Sequence, residues 1–356
     1  MTTAKGRAAV FCAQHDLRLP ILLAPMAGAC PPSLSIAVSN AGGLGACGAL
    51  LMQPEDIIAW SNEVRSHTKG AFQINLWIPD PKPLRDAEHE SRVRAFLATW
   101  GPPVAPEAGD ATPPDFANQC EALLAAAPPI VSSVMGLYPL EFVARLKQQG
   151  IKWIANISTV AEARVAEAAG ADLIVAQGSE AGGHRGTFNT ADAERQQVGL
   201  LALLPAVVDA VRVPVIATGG IADARGIAAA LILGASAVQI GTGFLRCPEA
   251  KIHPAWADAL ARTAPEDTVV SRVFSGRAGR SIATTYVEAA MAEDAPKSAP
   301  YPVQRGLTAP MRLAAQKDGD IDRMQAWAGQ SAALARAEPA YNLVRQLWEE
   351  AQRLLE

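Results

Sequence analysis

Cysteine is scarce: five in 356 residues, at Cys12, Cys30, Cys47, Cys120 and Cys247. They are scattered, odd in number and form no C-x-x-C pair. That argues against a disulfide framework and against a thiolate zinc site, and no metal site is expected. It fits a reducing, cytoplasmic setting. No apolar stretch reaches membrane-spanning length, and Met1 to Gln14 lacks the apolar core of a secretory leader, so no membrane partner is expected. There is no basic block, and the net charge is −4, which argues against nucleic acid as the main partner. A small molecule or a second copy of the chain, as a homodimer, is expected instead. G-x-S-x-G, H-E-x-x-H and Walker loops are all missing, so the commonest hydrolase and nucleotide-hydrolysing sites are not signalled.

Apolar residues are plentiful, at 50% of the chain, enough for a large core. They fall into short runs. Leu19–Ala24, Leu44–Leu51, Ala71–Trp77, Ile130–Met135, Lys152–Ile157, Asp172–Gln177, Val213–Thr218 and Ala237–Gly241 read as strands, with helical stretches between them. Near-continuous apolar strands are expected where both faces of a parallel sheet are covered. Eight strand–helix repeats predict an α/β fold closed as a (β/α)8 TIM barrel, with an open doubly wound sheet as the alternative. Residues 79–128 interrupt the rhythm with dense proline and two helices, about 85–99 and 115–126. From about residue 250 the rhythm ends, and 309–337 and 340–355 read as helices. The expected division is a barrel from 1–78 and 129–250. A smaller second lobe is expected from the 79–128 insertion and the 251–356 tail.

One loop stands out, Gln177-Gly178-Ser179-Glu180-Ala181-Gly182-Gly183-His184-Arg185-Gly186 after the sixth strand, with four glycines in the nine residues from Gly178. Glycines weaken helix and strand alike but let a planar ligand approach the backbone closely. An imidazole among them is a usable base near neutral pH. Glu180 is placed to orient it, or is simply solvated. In a barrel the site forms at the C-terminal ends of the strands, with phosphate often held after strands seven and eight. Those ends read Thr218-Gly219-Gly220 and Gly241-Thr242-Gly243, whose amides, with a helix opening at Ala222, suit a phosphate. Two tight turns needing glycine for geometry alone would look the same. The cradle does not by itself separate a flavin mononucleotide from a phosphorylated metabolite. Strand one ends in Met26-Ala27-Gly28, strand three in Gln73 and Asn75, strand six in Gln177. Amides there suit a ligand rim of alternating donors and acceptors. Cys30 and Cys247, near strand ends, read as small apolar fillers.

Taken in order, Ala24-Pro-Met-Ala-Gly28, Phe72-Gln-Ile-Asn75, Ala176-Gln-Gly-Ser-Glu-Ala-Gly-Gly-His184, Ala217-Thr-Gly-Gly-Ile221 and Gln239-Ile-Gly-Thr242 resemble the nitronate monooxygenase family. Ser275-Gly-Arg-Ala-Gly-Arg280 and Trp327-Ala-Gly-Gln330 are similar to its C-terminal part. The likeness runs from about residue 18 to 335. It implies an FMN-binding barrel, with Met26, Ala27, Asn75 and Gln177 near the flavin ring and Gly182 and Gly183 lining it. Gly219, Gly220, Gly241 and Thr242 would hold the phosphate. His184 would be the base that takes the α-proton of a neutral nitroalkane, and Tyr301 is a weaker substrate contact. The implied reaction is oxidative denitrification of alkyl nitronates, propionate 3-nitronate among them, by O2 to a carbonyl compound and nitrite. The same fold and loop occur in flavoproteins that reduce enoyl thioesters or quinones with NAD(P)H, which is the alternative function.

Overall fold

The computed structural model describes residues 3–356; Met1 and Thr2 lie outside it. A helix unforeseen from the sequence, α1 (Ala4–Gln14), comes first, capped by Thr3, whose side chain accepts from the Gly6 amide. Then follow β1 (Ile21–Leu23), α2 (Pro32–Ala41), β2 (Gly45–Gly48), α3 (Pro54–His67), β3 (Phe72–Trp77), α4 (Ala87–Leu97), α5 (Phe116–Ala126), β4 (Ile130–Val134), α6 (Leu140–Gln148), β5 (Lys152–Ile157), α7 (Val160–Ala168) and β6 (Leu173–Gln177). A short β7 (Gly183–His184) precedes α8 (Leu200–Ala210), β8 (Val215–Thr218), α9 (Ala224–Ile232), β9 (Ala237–Ile240) and α10 (Pro254–Leu260). The tail holds β10 (Thr268–Ser271), β11 (Gly279–Ile282), α11 (Thr285–Ala290), α12 (Val303–Leu307), α13 (Ala309–Asp318) and α14 (Ala340–Leu354).

Eight strands form one sheet in the order β1-β9-β8-β6-β5-β4-β3-β2, and the pairs are parallel. A parallel bridge between Leu22 and Leu44 joins the two ends, with Leu23 N–H donating to Leu44 O at 2.8 Å. The sheet is therefore a (β/α)8 barrel. Its interior includes Leu22, Leu44, Ile154, Val175 and Ile216. Phe11, Cys12 and Leu17 close that cluster, so α1 and the turn after it plug the barrel's N-terminal end. The apolar runs form strands because both faces are buried, inside against each other and outside against helices.

Two helices expected in the second lobe pack on the barrel instead. In α5, Cys120, Leu123 and Leu124 join the main core. So do Leu343, Val344 and Leu347 of α14, which lies against α2 and α9. Both helices were expected; the proline-rich flank hid where α5 packs, and distance along the chain hid that α14 fills the helical position after β9. Leu347 is 1% exposed. Leu347→Ala should cost about 2–5 kcal/mol in denaturant unfolding, whereas a helix loosely attached to a separate lobe would lose little.

A separate cluster gathers Val93 and Leu97 of α4 with Phe274, Tyr286, Val303, Leu307 and Met311 of the tail. Insertion and tail thus share one small core. The antiparallel sheet β10-β11-β7 ties it to the barrel, because β7 is the glycine loop itself. The helix expected over 309–337 stops at Gly319, whose φ is +68°. Beyond it the chain is largely irregular, and Trp327 bridges to Ser281. Helical propensity loses there to burial beside the barrel mouth.

Candidate active site

The C-terminal ends of the strands open into a cavity of about 240 Å³. Met26 and Ala27 reach it after β1, Asn75 from β3, Gln177 from β6, Gly182, Gly183 and His184 from the next loop, Gly219 and Gly220 after β8, Gly241 and Thr242 after β9, and Tyr301 from the tail. These residues share one cavity, whereas Gln73, expected with Asn75 at the end of β3, does not line it.

At one end, Gly219 and Gly220 take φ of +117° and +67°, a region only glycine enters freely. Among the described residues their amides, and that of Gly241, donate to no protein oxygen. These half-buried amides are free to meet a ligand in the cavity. The tail closes over them: Ser331 Oγ donates to Gly220 O at 2.6 Å and Gly329 N–H to Thr242 Oγ1 at 3.0 Å. Gly182 is required by that closure, since a Cβ there would stand 2.5 Å from Gly329 N. One expectation is corrected. The helix after β8 begins at Ala224, and the Asp223 carboxylate takes its first free amides, those of Arg225 and Gly226. Loop amides, rather than that helix end, are what face an anion.

The amide side chains divide. Asn75 donates to Ser132 Oγ at 3.0 Å and keeps Oδ1 for a ligand. Gln177 does not: its Nε2 donates to His184 O at 3.1 Å and its Oε1 accepts from Gly186 N–H at 2.7 Å. It braces the loop and offers the cavity little hydrogen-bonding capacity. Gln73 is buried within the barrel, bonded to Leu23 O and Gln239 Oε1, and does not reach the cavity. Asn156 and Gln239, unforeseen as ligand-facing side chains, do line it, and Asn156 Nδ2 is buried without a partner.

At the other end stands His184. Its loop is held firmly: Gly183 and His184 pair with Arg280 and Gly279, and Arg185 N–H donates to Ala278 O. From behind, the fully buried Arg185 guanidinium donates to Gly178 O at 2.7 Å. Trp77 and Trp327 flank the imidazole at 4.6 and 4.7 Å between ring centres. His184 Nε2 lies 2.8 Å from Ser275 Oγ. Burial first, then the charges of Arg277 and Arg305, lower its pKa from the ordinary 6.5 to about 3, so it is neutral near pH 7. Glu180 does not orient it. That carboxylate accepts from Leu200 N–H at 2.9 and 3.0 Å, capping α8.

Trp77, Ser275, Trp327 and Arg305 were not foreseen as site residues. Trp77 was legible in principle, two residues beyond Asn75 and so on the same strand face. Arg305 follows Tyr301 by four positions on a tail helix whose place no local pattern gives. Arg305 lines the cavity with no carboxylate partner among the described residues, and Tyr301 OH is buried without a hydrogen bond. Burial pushes the Cys30 and Cys247 thiols up to about 12, which leaves them protonated and poor nucleophiles. Among the described residues no cluster of metal-ligating side chains occurs, and no helix is long and apolar enough to cross a membrane.

A cavity with free loop amides at one end and a neutral, aromatic-flanked imidazole at the other also occurs in a chain with extensive likeness to known proteins. A nitroalkane oxidase from Streptomyces ansochromogenes superposes with a TM-score of 0.87 at 35% identity, over 97% of this chain and 100% of that one. FabK from Thermotoga maritima follows at 0.76 and 29%, over 97% and 96%. The nitronate monooxygenase of Paraburkholderia phytofirmans is 39% identical over 348 residues, 95% of this chain and 93% of that one. The family model described as nitronate monooxygenase matches residues 11–350, and with barrel, glycine loop and tail all inside that span, the chain belongs to the nitronate monooxygenase family.

Proposed function

We propose that the cavity binds FMN and that the protein oxidises alkyl nitronates with O2, giving a carbonyl compound and nitrite. The observation that carries this reading is the set of unpartnered amides at Gly219, Gly220 and Gly241 sharing a cavity with His184. The residues present fit the group. Those amides and that of Thr242 would hold its phosphate. Met26, Ala27 and Asn75 would lie beside the ring, with Gly182 and Gly183 beneath it. A Cβ at Gly183 would meet nothing within 4 Å, which leaves room for a flat ligand. When bound, FMN supplies the electron acceptor that passes electrons from the nitronate carbon to O2.

The chain's own contribution is placement and charge. Arg305, free of any carboxylate, and Tyr301 OH face the side of the cavity where His184 stands. Both suit an anionic nitronate or a second anionic group on it. Trp77 and Trp327 pack against the imidazole and limit its access to water. His184 takes the α-proton when the substrate arrives as a neutral nitroalkane; a preformed nitronate has none to give.

The test is the absorption spectrum of the purified protein, followed by anaerobic titration. A bound yellow chromophore reduced by nitronate but not by NADH or NADPH supports the reading. The likeness to FabK favours a second one, an NAD(P)H-dependent flavin reductase of enoyl thioesters or quinones. Rapid reduction by NADH would establish it in place of the first. Within the first reading, Arg305→Ala should raise KM for a nitronate on the order of 10- to 100-fold, the value of a charged hydrogen bond. An unchanged KM would place the anion elsewhere.

A further inference from the structure

We propose that Ser275 is a positioning residue that fixes the tautomer of His184, leaving Nδ1 as the nitrogen that receives the substrate proton. The inference rests on the reading of His184 as the base and adds which nitrogen acts and what selects it. Ser275 Oγ has three neighbours: His184 Nε2 at 2.8 Å, the Arg277 N–H at 3.3 Å and the Arg277 carbonyl at 3.2 Å. A hydroxyl has one proton to give and two lone pairs to offer. The Arg277 carbonyl can only accept and its amide can only donate. All three contacts are satisfied together only when the hydroxyl proton goes to the Arg277 carbonyl and Oγ accepts from both the Arg277 amide and His184 Nε2–H. The opposite arrangement, hydroxyl to Nε2, leaves that carbonyl without its proton in a site where Ser275 is 2% exposed. With Nε2 carrying hydrogen, the lone pair sits on Nδ1, which has no hydrogen-bond partner among the described residues.

The serine cannot drift from this position. It sits beside Gly276, where φ is +86° and a Cβ would stand 2.5 Å from Ala299 O and from Tyr301 N. The turn carrying Ser275 is therefore pressed against the segment carrying Tyr301. Tautomer control by a partner on the far ring nitrogen is how a histidine base is generally oriented. The usual partner is a carboxylate, which would also stabilise imidazolium. A serine sets the direction without adding negative charge.

The test uses the flavin-loaded enzyme labelled with nitrogen-15 in histidine, with His184→Asn identifying the resonance. The expected result is hydrogen on Nε2 in the wild type. In Ser275→Ala the ratio of neutral-nitroalkane to nitronate turnover should fall about 10- to 100-fold, part of the effect of losing a general base outright. Ser275→Thr, which keeps the hydroxyl, should recover most of it. A wild-type ring with hydrogen on Nδ1, or equal loss with both substrates in Ser275→Ala, would overturn the proposal. Failure of the base reading is separately visible: His184→Asn would then slow both substrates alike, whichever nitrogen carries the hydrogen.

Discussion

His184→Asn should cut turnover of neutral nitroalkanes by about 10²- to 10⁴-fold, the usual contribution of a general base, and turnover of preformed nitronates far less. Asparagine preserves a polar, planar side chain between Trp77 and Trp327, though it is too short to reach Ser275 as Nε2 does. What it removes is the ability to accept a proton. The comparison of two substrates on one variant is what gives the prediction its content. A residue needed only to shape the cavity would slow both. Equal losses would therefore refute the base assignment, even if the variant folded and kept its flavin.

The electrostatics explain why such a base works although its pKa lies near 3. Arg277 and Arg305 oppose an imidazolium, yet Arg305, which lines the cavity, favours the nitronate formed when the proton leaves carbon. Proton transfer creates a cation and an anion together, and the anion would form on the side of the cavity that Arg305 lines. The neutral form dominates from pH 5 to 8, so kcat/KM for neutral nitroalkanes should show no acidic limb near 6.5. A limb there would mean that the imidazole is more exposed to water than its flanking rings allow. Stability follows the same sign. The unfolded chain protonates this histidine below about 6.5 while the folded one does not. The contribution is thus complete above that pH and is lost as pH falls toward 3.

Much of this was legible in the chain because barrels are periodic. Each of the eight strands was marked by an apolar run, most were followed in rhythm by a helix, and strand ends define where a barrel's site must lie. Gly182, Gly183 and His184 could be picked out because glycine clustered after a buried strand has few uses. The rest depended on side-chain contacts that no periodic pattern marks. Nothing near Gln177 says that its amide is consumed by His184 O and Gly186 N–H, or near Glu180 that it caps α8. Ser275 and Arg305 lie in a tail whose helices are short, α12 running only from Val303 to Leu307. They reach the site because that tail packs on α4. Packing between segments separated by a hundred or more residues leaves no local pattern to read.

The phosphate end can be tested independently of the chemistry. Gly220→Asp should leave the purified protein largely without flavin, whereas Gly220→Asn should retain most of it. Both side chains tolerate a left-handed backbone better than other residues do, and both have the same shape, so strain at φ +67° is common to the two. They differ in charge. At an effective dielectric constant of about 20 and roughly 5 Å separation, one like-charge pair costs about 3 kcal/mol, and a phosphate dianion brings more than one charge. Affinity should thus fall on the order of 100-fold or more for the aspartate alone. The Glu180 side chain already approaches this position, its Cβ 3.2 Å from where the new Cβ would stand. Flavin-to-protein ratios after purification, and fluorescence titration of the apoprotein, read the difference. If both variants lose flavin equally, backbone geometry rather than charge governs the turn. If the aspartate retains it fully, the phosphate lies away from Gly220, and the free amides there serve some other ligand.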